Sequence, residues 1–272
     1  MRINTNLNAM IATNQMSKNT ALAGSSMEKL STGLRITKAG DDAAGLAVSE
    51  KMRAQIRGME QAERNVQDGI SMVQTAEGAL EEAGNIAQRM RELGVQAGND
   101  TLSAEDRTKV KEELKQLQDE MNKISEETKF NGKQLLTSTA AGQTFTIQAG
   151  ANSEVREVKM TDLASIANSV SITGNLSTVG DAQSFVGKVD KALEAINSGR
   201  STLGAMQNRL EYTSNNLTTT TENLTAAESR IRDVDVAKEM VTLSKLNILN
   251  QASQAMVSQA KQQPESVSQL LR

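Results

Sequence analysis

Between residues 189 and 231 an apolar side chain recurs at every seventh position without exception: Val189, Ile196, Leu203, Leu210, Leu217, Leu224 and Ile231. A heptad sustained over this length predicts one long α-helix whose seam packs along other helices. The complementary seam positions hold Ala192, Met206 and Ala227, but also Gly199, Thr213 and Thr220. A seam so lopsided expects more than one partner surface. Pro264 is the single proline of the 272 residues, so nothing before it carries the strongest helix breaker. A mainly α architecture of long antiparallel helical rods is expected.

The remaining segments fit that frame. Ala23, Met27, Leu30 and Leu34 follow steps of four, three and four, the spacing of a helix–helix seam. Lys38 to Gly45 interrupts it with two glycines and two candidate capping aspartates, Asp41 and Asp42. From Met52 the pattern resumes through Ile56, Met59, Val66, Ile70, Val73, Leu80 and Ala87, if Glu63, Glu77 and Gly84 occupy seam positions. That predicts a helix of about fifty residues, about 75 Å long. Its glycines permit close helix contact. Ser103 is a candidate cap for a second rod carrying Val110, Leu114, Leu117, Met121 and Ile124, which Phe130-Asn131-Gly132 ends in a turn.

Alternation in Thr144 to Gln148, a turn at Gly150 to Ser153 and mixed β-branched residues from Val155 to Met160 predict a small β-hairpin near 143–160. Residues 161–180, rich in Ser, Thr, Asn and Gly, read as loop. A last helix from Val236 carries Met240, Leu243, Ile248, Ala252, Ala255, Met256 and Ala260 on its apolar stripe, with uncharged Asn and Gln elsewhere. A short amphipathic helix at each end, a long rod inside each and irregular structure between predict a chain that folds back at its centre. The two ends then lie side by side as a helical coiled coil, their narrow stripes left seeking further copies. The expected domains are 1–44 with 236–272, and 45–235.

Composition closes most functional classes. With no Cys and no His the chain has no disulfide, thiol nucleophile, imidazole base or soft metal ligand. Thirty basic against 33 acidic residues leave a net charge of −3, too near neutral for a nucleic-acid wrapper. Aromatic residues make up only 1%, which leaves a thin aliphatic core and no aromatic ligand pocket. No apolar run reaches the roughly 18 residues of a membrane span. The opening Met1 to Asn6 lacks the apolar stretch of a cleaved signal, so the expectation is the cytoplasm or export by a signal-independent machine.

No constellation carries catalysis. Arg35, Lys38, Lys51, Arg53 and Arg57 stand among Asp41, Asp42 and Glu50, which reads as a solvated or intersubunit charge face rather than a phosphate site. Gly40 to Gly45 has no lysine in P-loop spacing. Glu81-Glu82, Glu112-Glu113 and Glu126-Glu127 are sequence neighbours that point to different azimuths, unlike an acid/base dyad. No basic region precedes the heptad, which excludes a basic zipper. No catalytic residue, cofactor or metal is expected.

Two stretches resemble a known family. Leu30-Ser31-Thr32-Gly33-Leu34-Arg35-Ile36 followed by Ala39 to Ala47 resembles the amino-terminal signature of bacterial flagellins, and Asn223 to Asp235 with Gln251 to Met256 resembles the carboxy-terminal one. The likeness covers roughly residues 1–136 and 181–272. It implies a structural subunit that self-assembles into a hollow extracellular filament used for motility. Its terminal helices would form an inner tube and its long helices an outer one. Packing in the inner tube would engage Met27, Leu30, Leu34, Met240, Leu243, Ile248, Met256, Leu270 and Leu271. The resemblance also implies unfolded export through the flagellar type III apparatus and an export chaperone at the C-terminal helix. Filament-cap and hook-junction proteins would be further partners, and neither nucleic acid binding nor membrane insertion is implied. The innate-immune Toll-like receptor for flagellin would read Gln88, Arg89 and Leu93, with Glu113 from the next helix. The rivals are a hook–filament junction protein and the cytoplasmic rod of a chemoreceptor.

Overall fold

The computed structural model describes residues 6–137, 144–171 and 178–270, with the side chains of the last helix described through 262. Among the described residues six helices dominate: α1 (Leu7–Thr32), α2 (Ala43–Ala97), α3 (Ala104–Glu127), α4 (Leu163–Ser169), α5 (Val179–Arg232) and α6 (Val236–Leu270). Two antiparallel hairpins lie between α3 and α4: β1 (Lys129–Phe130) with β2 (Lys133–Gln134), and β3 (Thr144–Gln148) with β4 (Val155–Lys159). Thr144 faces Lys159 and Gln148 faces Val155, so the second hairpin occupies the stretch expected from its alternation. Residue 143, its expected start, lies outside the described residues. No helix among the described residues is long and apolar enough to cross a membrane.

Local chemistry sets the boundaries. Asn6 caps α1 by accepting from the amide of Ala9, Asp42 accepts from Gly45 at the start of α2, and Ser103 accepts from Asp106 at α3. Each satisfies an orphan amide of a first helical turn. Ser103 also donates to the Asp106 carboxylate, which holds that carboxyl below the usual range. Asn131 and Gly132 both take positive φ, 50° and 78°, the backbone of a tight two-residue hairpin turn.

The chain divides into two compact units, Met1–Ala54 with Asn223–Arg272, and Gln55–Glu222. By their place in the sequence they are called the terminal and the central unit. The division falls inside α2 and α5, whereas the chain breaks at 44/45 and 235/236 suggested it from sequence. The first turns of α2 belong with the terminal unit because Ser49 donates to Glu228, and Arg232 reaches Glu50 at 2.7 Å.

In the central unit α2 and α5 run antiparallel, pinned by Arg91–Asp190 at 2.7 Å, Arg200–Glu81 at 3.7 Å and a hydrogen bond from Thr218 to Glu63. The heptad residues Val189, Ile196, Leu203, Leu210 and Leu217 are buried. Further along the same helix, Leu224 and Ile231 fall in the terminal unit and are half-buried. The α2 seam departs from expectation. It takes Met59, Val66, Val73, Leu80 and Ala87 as foreseen, but its complementary positions are Ala62, Gly69, Ala76, Ala83 and Met90. Glu63, Ile70, Glu77 and Gly84 sit one step aside, half-buried. Small residues let neighbours approach. A Cβ at Gly69 would collide with Ile147 of β3, and one at Gly94 would come within 2.9 Å of Val186.

The loop expected over 161–180 contains α4. Asp162 caps it by accepting from the amide of Ser165, and Leu163, Ala167 and Val170 are buried. Burial of one apolar stripe stabilises a helix of seven residues, too short to hold alone.

The terminal unit pairs α1 with α6 at Cα separations of 8 Å or less. The chain segments beside these helices are clasped. Leu34 and Asp233 form an isolated antiparallel bridge, the amide of Arg35 donates to the Arg232 carbonyl at 2.6 Å, and the amide of Val234 donates to the Gly33 carbonyl. Arg35 adds a fork from its guanidinium to the Ile231 carbonyl.

Candidate functional site

The α1/α6 pair is built inside out. Its seam runs through Ala9, Ala12, Met16, Asn19, Ala23, Ser26 and Leu30 on α1, and Glu239, Leu243, Leu246, Asn250, Ser253, Val257 and Ala260 on α6. Steps of three and four residues define a helix–helix stripe, yet these residues are mostly small or polar. Asn6 donates to the Ala260 carbonyl, Asn19 to Ser253, Thr20 to Asn250 and Ser26 to Glu239. These bonds satisfy polar groups along the seam and hold the two helices in register.

Most of the large apolar side chains face out. Leu7, Met10, Ile11, Leu22 and Met27 of α1, Val48, and Val236, Met240, Val241, Ile248, Leu249 and Met256 of α6 are all exposed. Among the described residues, only Val95, Val155 and Tyr212 are exposed large hydrophobics in the central unit. Ile11, Ala12, Leu249 and Met256 also line an open groove of about 600 Å³ between α1 and α6.

This placement divides the sequence-derived stripes between seam and open face. Met27 is 63% exposed, because the seam passes through Ser26 instead. Met240, Ile248 and Met256 likewise lie outside the α1/α6 seam, on the open face. Leu30 and Leu243 are half-buried within the seam, and Leu34 is half-buried at the clasp. The Leu270 side chain and all of Leu271 lie outside the described residues.

The second candidate patch is on the central unit. Arg89 bonds Glu113 of α3 at 3.0 Å and Glu92 at 3.1 Å. These two carboxylates, Glu113 foremost, raise its pKa. Gln88, Arg89 and Glu113 are exposed, but Leu93 is only 2% exposed. The sequence set Leu93 beside Arg89 as a surface anchor. Four residues advance a helix by a little more than a full turn, enough here to carry Leu93 past the edge of the patch and into the core. Among the described residues no cluster of three acidic side chains could hold a metal ion.

Apolar side chains concentrated on the outside of a paired-helix module define a class of protein, the self-associating helical subunit, because such faces are unfavourable in water until another surface covers them. Comparison with known proteins gives the family. The bacterial flagellin N-terminal helical region matches residues 3–141, and the bacterial flagellin C-terminal helical region matches residues 186–271. A flagellin of Halalkalibacterium halodurans is 54% identical and one of Bacillus subtilis 49%, each alignment covering 100% of both chains. The crystal structure of Bacillus cereus flagellin is 36% identical, covering 61% of this chain and 94% of that one with a TM-score of 0.52. A putative flagellar hook-associated protein from Vibrio parahaemolyticus, at 13% identity and a TM-score of 0.59 over 71% of this chain and 100% of that one, shares the fold alone. The chain belongs to the bacterial flagellin family and is a structural subunit of the flagellar filament.

Proposed function

We propose that the terminal unit forms the inner tube of a hollow extracellular filament and the central unit its outer tube. The observation that carries this reading is the concentration of exposed apolar side chains on α1 and α6. Burying one such side chain contributes about 1.5–3 kcal/mol, so each subunit added covers faces that water disfavours. Met27, Met240, Ile248 and Met256 then pack against neighbouring copies. The polar seam between α1 and α6 holds the pair in register. Electron microscopy of purified chain after salt-induced association tests this. Long tubes are expected from the wild type, and none from the triple variant Ile11→Ser, Val241→Ser and Ile248→Ser with its melting unchanged. Tubes from that variant at an unchanged critical concentration would refute the assignment of these faces.

The subunit travels unfolded through the flagellar type III apparatus, with an export chaperone covering the apolar face of α6 beforehand, and meets hook-junction and cap proteins at the filament ends. In its free form it is read by the Toll-like receptor for flagellin at Gln88, Arg89 and Glu113, with Leu93 supporting that surface from the core. The exposure of the three polar residues and the Arg89–Glu113 bond support this. Receptor-bearing cells should respond to wild-type monomer and fail to respond to folded Arg89→Ala/Glu113→Ala protein. An equal response to both would remove the patch from the reading.

A further inference from the structure

The chain has 13 methionines and neither cysteine nor tryptophan, so its thioethers are the side chains that a mild oxidant attacks. Their distribution between the two units is uneven. Within the central unit Met59, Met72, Met90, Met121, Met160 and Met206 are all buried. In the terminal unit Met16 and Met52 are half-buried, while Met10, Met27, Met240 and Met256 are 53%, 63%, 51% and 64% exposed. These four share the outward apolar surface with Ile11, Leu22, Val241 and Ile248, and Met256 lines the α1/α6 groove.

We infer that Met10, Met27, Met240 and Met256 are oxidation sites through which a peroxide prevents the free subunit from assembling while leaving its central core intact. The inference rests on the assembly role of these faces. In the reaction a sulfur lone pair attacks one oxygen of hydrogen peroxide, the O–O bond breaks and an S–O bond forms. The departing hydroxide takes up the remaining proton to leave as water. Sulfur loses two electrons and the peroxide gains them. Each product sulfoxide places a strong hydrogen-bond acceptor where an apolar surface is to be covered. Subunits already in a filament have these sulfurs covered and are protected, so oxidation selects against the unassembled pool. A methionine sulfoxide reductase reverses it.

The test compares full-length monomer before and after hydrogen peroxide under native conditions, using peptide mass spectrometry, thermal melting and seeded assembly. Sulfoxide should appear at Met10, Met27, Met240 and Met256 at least about tenfold faster than at the six buried methionines, following exposure. Melting of the oxidised chain should be unchanged, its critical concentration should rise at least about tenfold, equivalent to about 1.4 kcal/mol, and reductase treatment should restore assembly. The variant Met10→Leu/Met27→Leu/Met240→Leu/Met256→Leu should assemble after peroxide as it did before. Equal oxidation of buried and exposed sites, unimpaired assembly of the oxidised chain, lack of rescue by the reductase, or peroxide sensitivity retained in the leucine variant would each overturn the inference. Failure of the untreated wild type to assemble would instead overturn the assembly reading, and this inference with it.

Discussion

The two units use the same three-and-four spacing to opposite ends. In the central unit the stripe between α2 and α5 is apolar, with Leu80, Ile196 and Leu210 fully buried. In the terminal unit the stripe between α1 and α6 mixes Leu30, Leu243 and Leu246 with Asn19, Ser26, Asn250 and Ser253, and most of the large apolar side chains lie outside it. The first arrangement makes a self-sufficient fold. The second makes a pair with a small, partly polar seam that removes less apolar surface from water, and it leaves large side chains for other copies to cover in the proposed assembly. That proposal assigns stability of the subunit and stability of the polymer to different residues.

That assignment can be broken at single positions. Leu210→Ala should cost about 2–5 kcal/mol, since it empties a fully buried seam site, and calorimetry of the full chain should show a correspondingly lower melting temperature. Gly69→Val should cost about 1–3 kcal/mol through overpacking against Ile147, read by denaturant titration. Ile248→Ser should move monomer stability by no more than about 0.5 kcal/mol, as expected of an exposed site, while raising the critical concentration for assembly. A loss of monomer stability as large as that of Leu210→Ala would mean that α6 buries Ile248 within its own subunit.

The smallest effect expected is on acid stability. Asp41 accepts hydrogen bonds from the amides of Lys38 and Thr37 and from the Thr37 hydroxyl, which hold its carboxyl below its ordinary value. A carboxyl depressed in the folded state contributes stability that is present above its unfolded pKa and is lost as pH falls through the folded one. Asp41→Asn should therefore flatten the acid limb of the stability–pH curve slightly and leave the neutral limb's slope unchanged. Urea titrations at stepped pH read both.

The difference between the units also explains which elements were legible in the sequence. The α5 heptad could be read because its repeating members are bulky, and bulk is what a search for apolar periodicity weighs. Ala62, Gly69, Ala76 and Ala83 carry little of that signal, so the α2 seam was drawn one position off through Glu63 and Glu77. On α1 and α6 the same search finds the outward face, through Met27, Ile248 and Met256, together with the seam residues Leu30 and Leu243, and does not separate the two. A tighter reading of Asn19, Ser26, Asn250 and Ser253 at helical spacing could have singled out the seam. The helix α4 was hidden by its polar composition, although Asp162 as cap and Leu163, Ala167 and Val170 at steps of four and three were available.

The clasp at Gly33–Arg35 and Arg232–Val234 bears on timing. The residues it joins are about 200 apart in sequence, and the Asn6–Ala260 bond beyond it spans 254. Closing a loop of that length is entropically unfavourable and slow relative to local helix formation. In folding from the extended chain, hairpins and single helices therefore form before the clasp, and the pairing of α1 with α6, which joins residues still farther apart in sequence, closes last. The surface that recruits neighbours is completed only when that last loop closes, so a partly folded chain has no finished end to offer.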